Sequence, residues 1–236
     1  KFIDADTLAK VPLAPPVEVA RTVLMTGATG FLGRFLCLEW LERLAGLDGK
    51  LICMVRAANQ DAARSRLETM FGSSDPALNE RFKTLAGKHL EVVVGDCADP
   101  GLGLEPAEFA RLAAEVDHIC HPAALVNHVL SYENLFGANV VGTAELVRLA
   151  LTTRQKGIDF ISSVATTHLL EQNAGNDEDT PLRPKITLSN RYASGYGASK
   201  WAGEQLLHHA HRRFGLPVNI FRGDMMLANR RYHEQI

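Results

Sequence analysis

The sequence predicts a doubly wound parallel α/β sheet, and two observations predict it. Short apolar or β-branched runs alternate with longer segments of helical period along most of the chain, and the first run breaks into a glycine turn that leads directly into a helical pattern. The strand candidates are Val23–Gly27, Leu51–Arg56, Glu91–Asp96, His118–His121, Asp159–Ser163 and Val218–Arg222. Between and around them, helical period runs through Phe31–Leu44, Ala62–Phe71, Pro76–Leu85, Pro106–Ala114, Glu133–Thr152 and Tyr192–Phe214. Strands joined by helices form βαβ units, and right-handed crossovers then cover both faces of one parallel sheet. Neither an internal repeat nor a low-complexity tract interrupts this order. The loop Glu171–Pro184, rich in acid and proline, is long enough to be functional rather than a simple connector.

The glycine turn is the most informative element. Residues 23 to 33 read Val-Leu-Met-Thr-Gly-Ala-Thr-Gly-Phe-Leu-Gly. Gly27 permits a tight turn off the strand, Gly30 lets the backbone approach a pyrophosphate, and Gly33 lets the next helix pack against the sheet. Thr26, Ala28, Thr29, Phe31 and Leu32 complete the turn and count with it as cofactor-binding positions. A helix starting near Phe31 aims free N–H groups and the positive end of its dipole at an anion. In this strand-to-helix context the three glycines predict a dinucleotide phosphate cradle.

Composition narrows the function classes. The 236 residues are 46% hydrophobic with a formal net charge of -2, which suits a globular chain with a substantial core and gives no electrostatic reason to expect nucleic acid or an anionic membrane as partner. No apolar run approaches the roughly 20 residues of a membrane span, and no secretory pattern opens the chain, so the cytoplasm is the default location. Cys37, Cys53, Cys97 and Cys120 lack metal-ligand spacing and are expected to be reduced and buried. His208, His209 and His211 have no carboxylate or cysteine partner in the pattern and are expected to be solvated helix positions, so no metal is predicted. Residues 9 to 20 are proline-rich and extended in character, which predicts a linker over residues 1–20 followed by a dinucleotide-binding domain over residues 21–236.

The second strand ends in Val55-Arg56-Ala57, where a site for the unphosphorylated dinucleotide would place an acid against the ribose hydroxyls. A guanidinium offers paired donors to a 2′-phosphate, so Arg56 favours NADPH, and Arg66 is a candidate second cation. Asp96, between Gly95 and Cys97 at the end of the third strand, is expected at the carboxyl edge near the adenine. A second constellation is Tyr196-Gly-Ala-Ser-Lys200, with Ser162-Ser163 closing the fifth strand. Residues four apart share a helix face, so the Lys200 ammonium can favour the ionised form of the Tyr196 phenol, while a serine hydroxyl from the neighbouring strand holds a reacting carbonyl oxygen.

These residues stand in the order of the extended short-chain dehydrogenase/reductases, which the chain resembles through Gly27, Gly30, Gly33, Ser163, Tyr196 and Lys200. Within that superfamily, the runs Gly49-Lys-Leu-Ile-Cys-Met-Val-Arg56, Pro122-Ala-Ala-Leu-Val-Asn127-His-Val-Leu and Tyr196-Gly-Ala-Ser-Lys-Trp-Ala-Gly-Glu resemble the terminal thioester reductase domain of bacterial carboxylic acid reductases. The reductases that end some nonribosomal peptide synthetases are similar. The resemblance implies a Rossmann fold with most of the C-terminal substrate lobe absent, a linker from an upstream carrier domain, and carrier and adenylation domains of the same polypeptide as partners.

It also implies residue roles. Arg56 and Arg66 match the pair that holds the 2′-phosphate, and Pro122, Ala123 and Ala124 match the segment beside the cofactor ribose. Asn139, Ser162, Phe221 and Gly223 are assigned to the cofactor site as well, and Ser163 rather than Ser162 is the expected hydroxyl donor. The implied reaction is hydride delivery from NADPH to an acyl thioester on phosphopantetheine, with Tyr196 as general acid, Lys200 tuning it and binding the nicotinamide ribose, and an aldehyde as product. Asp224 is expected to influence whether the aldehyde is reduced again. A nucleotide-sugar epimerase or dehydratase is the alternative within the superfamily, against which Arg56 argues.

Overall fold

The structure is a computed structural model that describes residues 14–72, 76–169, 180–189 and 191–226. Six parallel strands form one sheet in the order β3-β2-β1-β4-β5-β6: β1 Thr22–Thr26, β2 Lys50–Val55, β3 Leu90–Val94, β4 His118–His121, β5 Gly157–Ser163 and β6 Val218–Gly223. The chain winds outward from β1 in one direction through β2 and β3 and in the other through β4, β5 and β6. The order therefore reverses between β1 and β4, and at such a switch point the carboxyl ends of the strands open a crevice.

Alternation along the strands explains the two-sided core. Val23 and Met25 of β1 face one layer with Cys53 and Val55 of β2, while Leu24 and Ile52 face the other. The first layer contains α1 Phe31–Ala45, α2 Gln60–Thr69 and α3 Pro76–His89, with Leu38, Leu41, Leu67 and Phe82 buried against the sheet. Phe71 and Phe82 stack at 3.8 Å between ring centroids in that layer. The second layer contains α4 Pro106–Glu115, α5 Tyr132–Leu135, α6 Gly142–Ala150 and α7 Ser194–Phe214. Leu112, Leu146, Leu149 and Leu207 pack there on Ile119, Ile158 and Phe160. Gly203 lets α7 lie close to the sheet, since a Cβ there would stand 2.9 Å from the Phe160 ring.

Several helices differ from the sequence pattern. The predicted helix Glu133–Thr152 is interrupted by a π-helical stretch, Phe136–Val141, and ends at Ala150. The wider π turn carries Asn139, whose amide bonds the Leu125 backbone and the Ser199 side chain. Helix α7 begins at Ser194 rather than Tyr192, because Ala193 takes a left-handed conformation (φ 58°) and its N–H donates to His128 O at 2.8 Å. Helix α3 runs past Leu85 to His89, where the imidazole bonds Gly49 O at 2.8 Å. Cys37, Cys53 and Cys120 are buried free thiols and Cys97 is half-buried.

Of the predicted linker, residues 1–13 lie outside the described residues, and Ala14 O accepts a hydrogen bond from Gln155 N–H. Residues 170–179 of the Glu171–Pro184 loop region also lie outside them. Among the described residues no helix is long and apolar enough to cross a membrane, and no group of three His, Cys, Asp or Glu side chains is arranged to hold a metal ion.

Candidate active site

A long cleft of about 1070 Å³ runs along the carboxyl edge of the sheet across the β1/β4 switch point. Its floor is the glycine turn. Gly27 has φ 67°, and a Cβ there would stand 2.6 Å from Ala123 N, so the turn after β1 and the loop after β4 touch backbone to backbone. A Cβ on Gly33 would collide with Gly27 O, which is why α1 can start so close beneath the turn. Gly30 caps α1 without a side-chain hydrogen bond, leaving the first N–H groups of the helix free to meet an anion. The residues present thus fit a dinucleotide: a cradle that side chains would fill, under an uncapped helix N-terminus.

A buried relay braces this floor. Thr26 Oγ1 lies 2.7 Å from His121 Nδ1, His121 Nε2 lies 3.3 Å from Thr143 Oγ1, and Thr143 Oγ1 donates to Asn139 O at 2.7 Å. With the Thr143 proton committed to that carbonyl, Thr143 accepts from Nε2–H, and Nδ1 accepts from Thr26. Burial pushes His121 down to about 3, with the Lys200 charge acting in the same direction, so the imidazole is neutral at physiological pH.

One end of the cleft is cationic. Arg56 follows β2 with its side chain 73% exposed, its Nη1 3.6 Å from Asp96 Oδ2 across the mouth. Arg66 of α2 reaches back so that its Nη1 donates to Arg56 O at 2.7 Å. Gly95, Asp96 and Cys97 line the same end, and burial pushes the Cys97 thiol up to about 12. The other end carries Ser162, Ser163, Tyr196 and Lys200, with Gly223 and Asp224 at the lip. Alternation separates the two serines: Ser162 Oγ donates to buried Glu204, whereas Ser163 Oγ accepts from Ala165 N at 3.1 Å and keeps its own proton available. Lys200 is almost wholly buried, its Nζ donating to Ile161 O at 2.7 Å and lying 4.6 Å from the Phe160 ring centroid. Burial lowers its ammonium to about 8, and the Glu204 charge opposes that lowering.

Of the positions the sequence assigns to the cofactor, the cleft gathers Thr26, Gly27, Thr29, Gly30, Phe31, Leu32 and Gly33 with Arg56, Arg66, Pro122, Ala123 and Ala124. Three assigned residues are outside its lining. Ala28 points into the core beneath the turn, Phe221 alternates to the solvent side of β6 and is 52% exposed, and Asn139 is spent on backbone. Asn139 Oδ1 accepts from Leu125 N at 2.7 Å, and its Nδ2 donates to Leu125 O at 3.2 Å and to Ser199 Oγ at 2.9 Å, so it clamps the β4 loop to α7. The expected lowering of the Tyr196 phenol is also corrected: burial raises it. Sequence reasoning assigned no role to His128, whose ring lies 5.4 Å from that of Tyr196 at the cleft wall, or to Glu204. Glu204 was signalled only by its helical spacing, four residues after Lys200.

Comparison with known proteins agrees with this geometry. The NAD-binding family described as male sterility protein matches residues 25–234. A carboxylic acid reductase of Segniliparus rugosus is 51% identical over all of this chain, which spans 20% of that protein. The solved reductase domain of a nonribosomal peptide synthetase from Mycobacterium tuberculosis superposes with a TM-score of 0.88 at 46% identity, covering all of this chain and 55% of that one. The terminal reductase domain of the myxalamid pathway gives 0.78 at 40% identity, over 94% of this chain and 53% of that one. With the sheet order, the glycine cradle and the match to nearly its whole length in agreement, the chain belongs to the male sterility protein family of NAD-binding domains.

Proposed function

We propose that this chain is the NADPH-binding part of a reductase that releases an acyl thioester, carried on the phosphopantetheine of a neighbouring carrier domain, as an aldehyde. The observation that carries the reading is the polarity of one cleft: two arginines at one end of the glycine cradle, and Ser163, Tyr196 and Lys200 at the other. Arg56 and Arg66 would hold the 2′-phosphate, the glycine turn and the α1 N-terminus the pyrophosphate, and Pro122, Ala123 and Ala124 the ribose. Bound there, the nicotinamide supplies a hydride.

The protein's own groups do the rest. Negative charge develops on the thioester oxygen as the carbonyl is reduced, and donors already aimed at it need no reorganisation. Ser163 has its hydroxyl proton free for this, and Tyr196, its phenol raised by burial, remains protonated at neutral pH and so is suited to act as general acid, giving a thiohemiacetal whose C–S bond then breaks to expel the phosphopantetheine thiol and leave the aldehyde. Lys200, fixed between Ile161 O and the Phe160 ring, would bind the nicotinamide ribose. Likeness to reductase domains of multidomain synthetases, one of them solved together with its thiolation domain, supports a carrier domain as partner, and an adenylation domain of the same polypeptide is part of the proposal. The test is NADPH oxidation with an acyl thioester of phosphopantetheine, with NADH and a UDP-sugar as controls. Turnover with NADPH and thioester supports the reading, and turnover of the sugar nucleotide overturns it. Asp224, exposed at the lip, is proposed to influence a second reduction; an unchanged aldehyde-to-alcohol ratio in Asp224→Gly would dispose of that role.

A further inference from the structure

Glu204 is the deepest charge near the cleft, with no solvent exposure. A buried carboxylate is tolerated only where donors surround it. Ser162 Oγ donates to Oε1, and Thr166 Oγ1 lies 3.2 Å from the same oxygen with its single proton shared with Ser163 O at 2.9 Å, while Arg222 Nε lies 3.2 Å from each oxygen and Arg222 Nη2 2.7 Å from Oε2. Register explains the meeting: Ser162 stands opposite Arg222 and Ser163 opposite Gly223. Alternation therefore sends Ser162 and Arg222 together towards α7 and leaves Ser163 on the other side. On α7 itself Glu204 follows Lys200 by one turn.

We infer that Glu204, held by Arg222, is the positioning residue of this cleft: it pins Ser162, and so the backbone from which Ser163 presents its hydroxyl, and it sets the negative charge that faces the Lys200 ammonium. The inference rests on the roles proposed above for Ser163 and Lys200. The groups around Lys200 are Tyr196 and Glu204 from α7, His121 from β4 and Arg222 from β6 behind Glu204, with β5 contributing the Ile161 carbonyl and the Phe160 ring, while Asp224 lines the lip of the same cleft. His121 is neutral, so Glu204 is the charge that opposes the effect of burial on Lys200.

The test follows Lys200 directly by carbon-13 NMR titration of its Cε in the protein without cofactor, with Lys200→Met assigning the signal. Glu204→Gln is expected to lower the midpoint by at least about half a pH unit and Arg222→Gln to raise it by a similar amount. Opposite signs mark a charge effect, which a purely structural role would not produce. Midpoints equal to wild type, or moved the same way in both folded variants, overturn the inference. Ser162→Ala leaves both charges in place: the midpoint should stay, while kcat for thioester reduction falls about tenfold with the NADPH KM within about twofold. Wild-type kcat in Ser162→Ala overturns the positioning of Ser163, and this variant together with Arg222→Gln decides the matter if Glu204→Gln does not fold. Full activity in Lys200→Met would instead defeat the proposed role of Lys200, leaving the titration result standing.

Discussion

If Arg56 holds the 2′-phosphate as proposed, removing its guanidinium should separate recognition of that phosphate from recognition of the rest of the dinucleotide. In the structure Arg56 Nη1 stands 3.6 Å from Asp96 Oδ2, too far for a strong hydrogen bond, and the side chain is 73% exposed. Such a pair is worth about 0–1 kcal/mol, so a phosphate can draw the guanidinium away at little cost. A charge-assisted hydrogen bond contributes about 1.5–3 kcal/mol, and the open position of Arg56 at the rim puts it at the low end, near 1.5 kcal/mol. Arg56→Ala should therefore weaken NADPH about tenfold, since about 1.4 kcal/mol is a decade in Kd. NADH, which lacks the phosphate, should change by less than about twofold. Titrating the intrinsic nicotinamide fluorescence against wild type and variant, at two salt concentrations, reads both numbers. The wild-type preference should shrink in high salt, because exposed charges are screened over about 10 Å at 0.1 M. Equal losses for the two dinucleotides, or none, would refute the assignment of Arg56.

Asn139→Ala tests a residue that lies outside the cleft: with Leu125 N–H and C=O both left without their partner, it should destabilise by about 1–3 kcal/mol in chemical denaturation and weaken NADPH binding although no ligand contact is lost. Unchanged NADPH affinity would show that the β4 loop does not need its clamp. Lys156 is fully buried at the far end of the sheet, its Nζ donating to Thr152 O and Arg154 O, and burial lowers it from an ordinary lysine value to about 7. The folded form then holds fewer protons than the unfolded form above pH 7, so stability rises with pH, by up to about 1.4 kcal/mol per unit. Between pH 7 and 8.5 Lys156→Met should flatten that rise in thermal melts, and an unaltered slope would contradict the lowering. Lys200, lowered to about 8, loses its charge as pH rises through that value, so NADPH should bind more weakly at pH 9 than at pH 7. A pH-independent Kd over that range would remove Lys200 from the binding site.

What was legible in the sequence was what alternation and glycine chemistry dictate. Strands buried on both faces read as apolar runs, and His118–His121 was placed to the residue. The glycine turn was legible because Gly27 and Gly33 occupy places where any Cβ meets backbone. Residues that act through a tertiary partner were not. Asn139 looks like one more polar helix position until the π turn aims it at Leu125, and Glu204 looks like an exposed helix acid until β5 and β6 bring Ser162 and Arg222 to it. The direction of the Tyr196 shift was misjudged for a related reason. Helical spacing placed Lys200 near the phenol, but burial of both groups and the Ile161 carbonyl that accepts a hydrogen bond from Lys200 are properties of the packed sheet, not of spacing.

The proposal at the centre is that one cleft would place the nicotinamide of NADPH beside an acyl thioester that Ser163 and Tyr196 polarise. Its most direct test is single-turnover reduction of a phosphopantetheine acyl thioester by NADPH, following loss of nicotinamide absorbance and aldehyde together in wild type and in Tyr196→Phe. One aldehyde per NADPH in wild type, and a rate lower by about 10²–10⁴ in the variant with NADPH still bound, is the predicted result. Aldehyde formation at the wild-type rate without the phenol would contradict it.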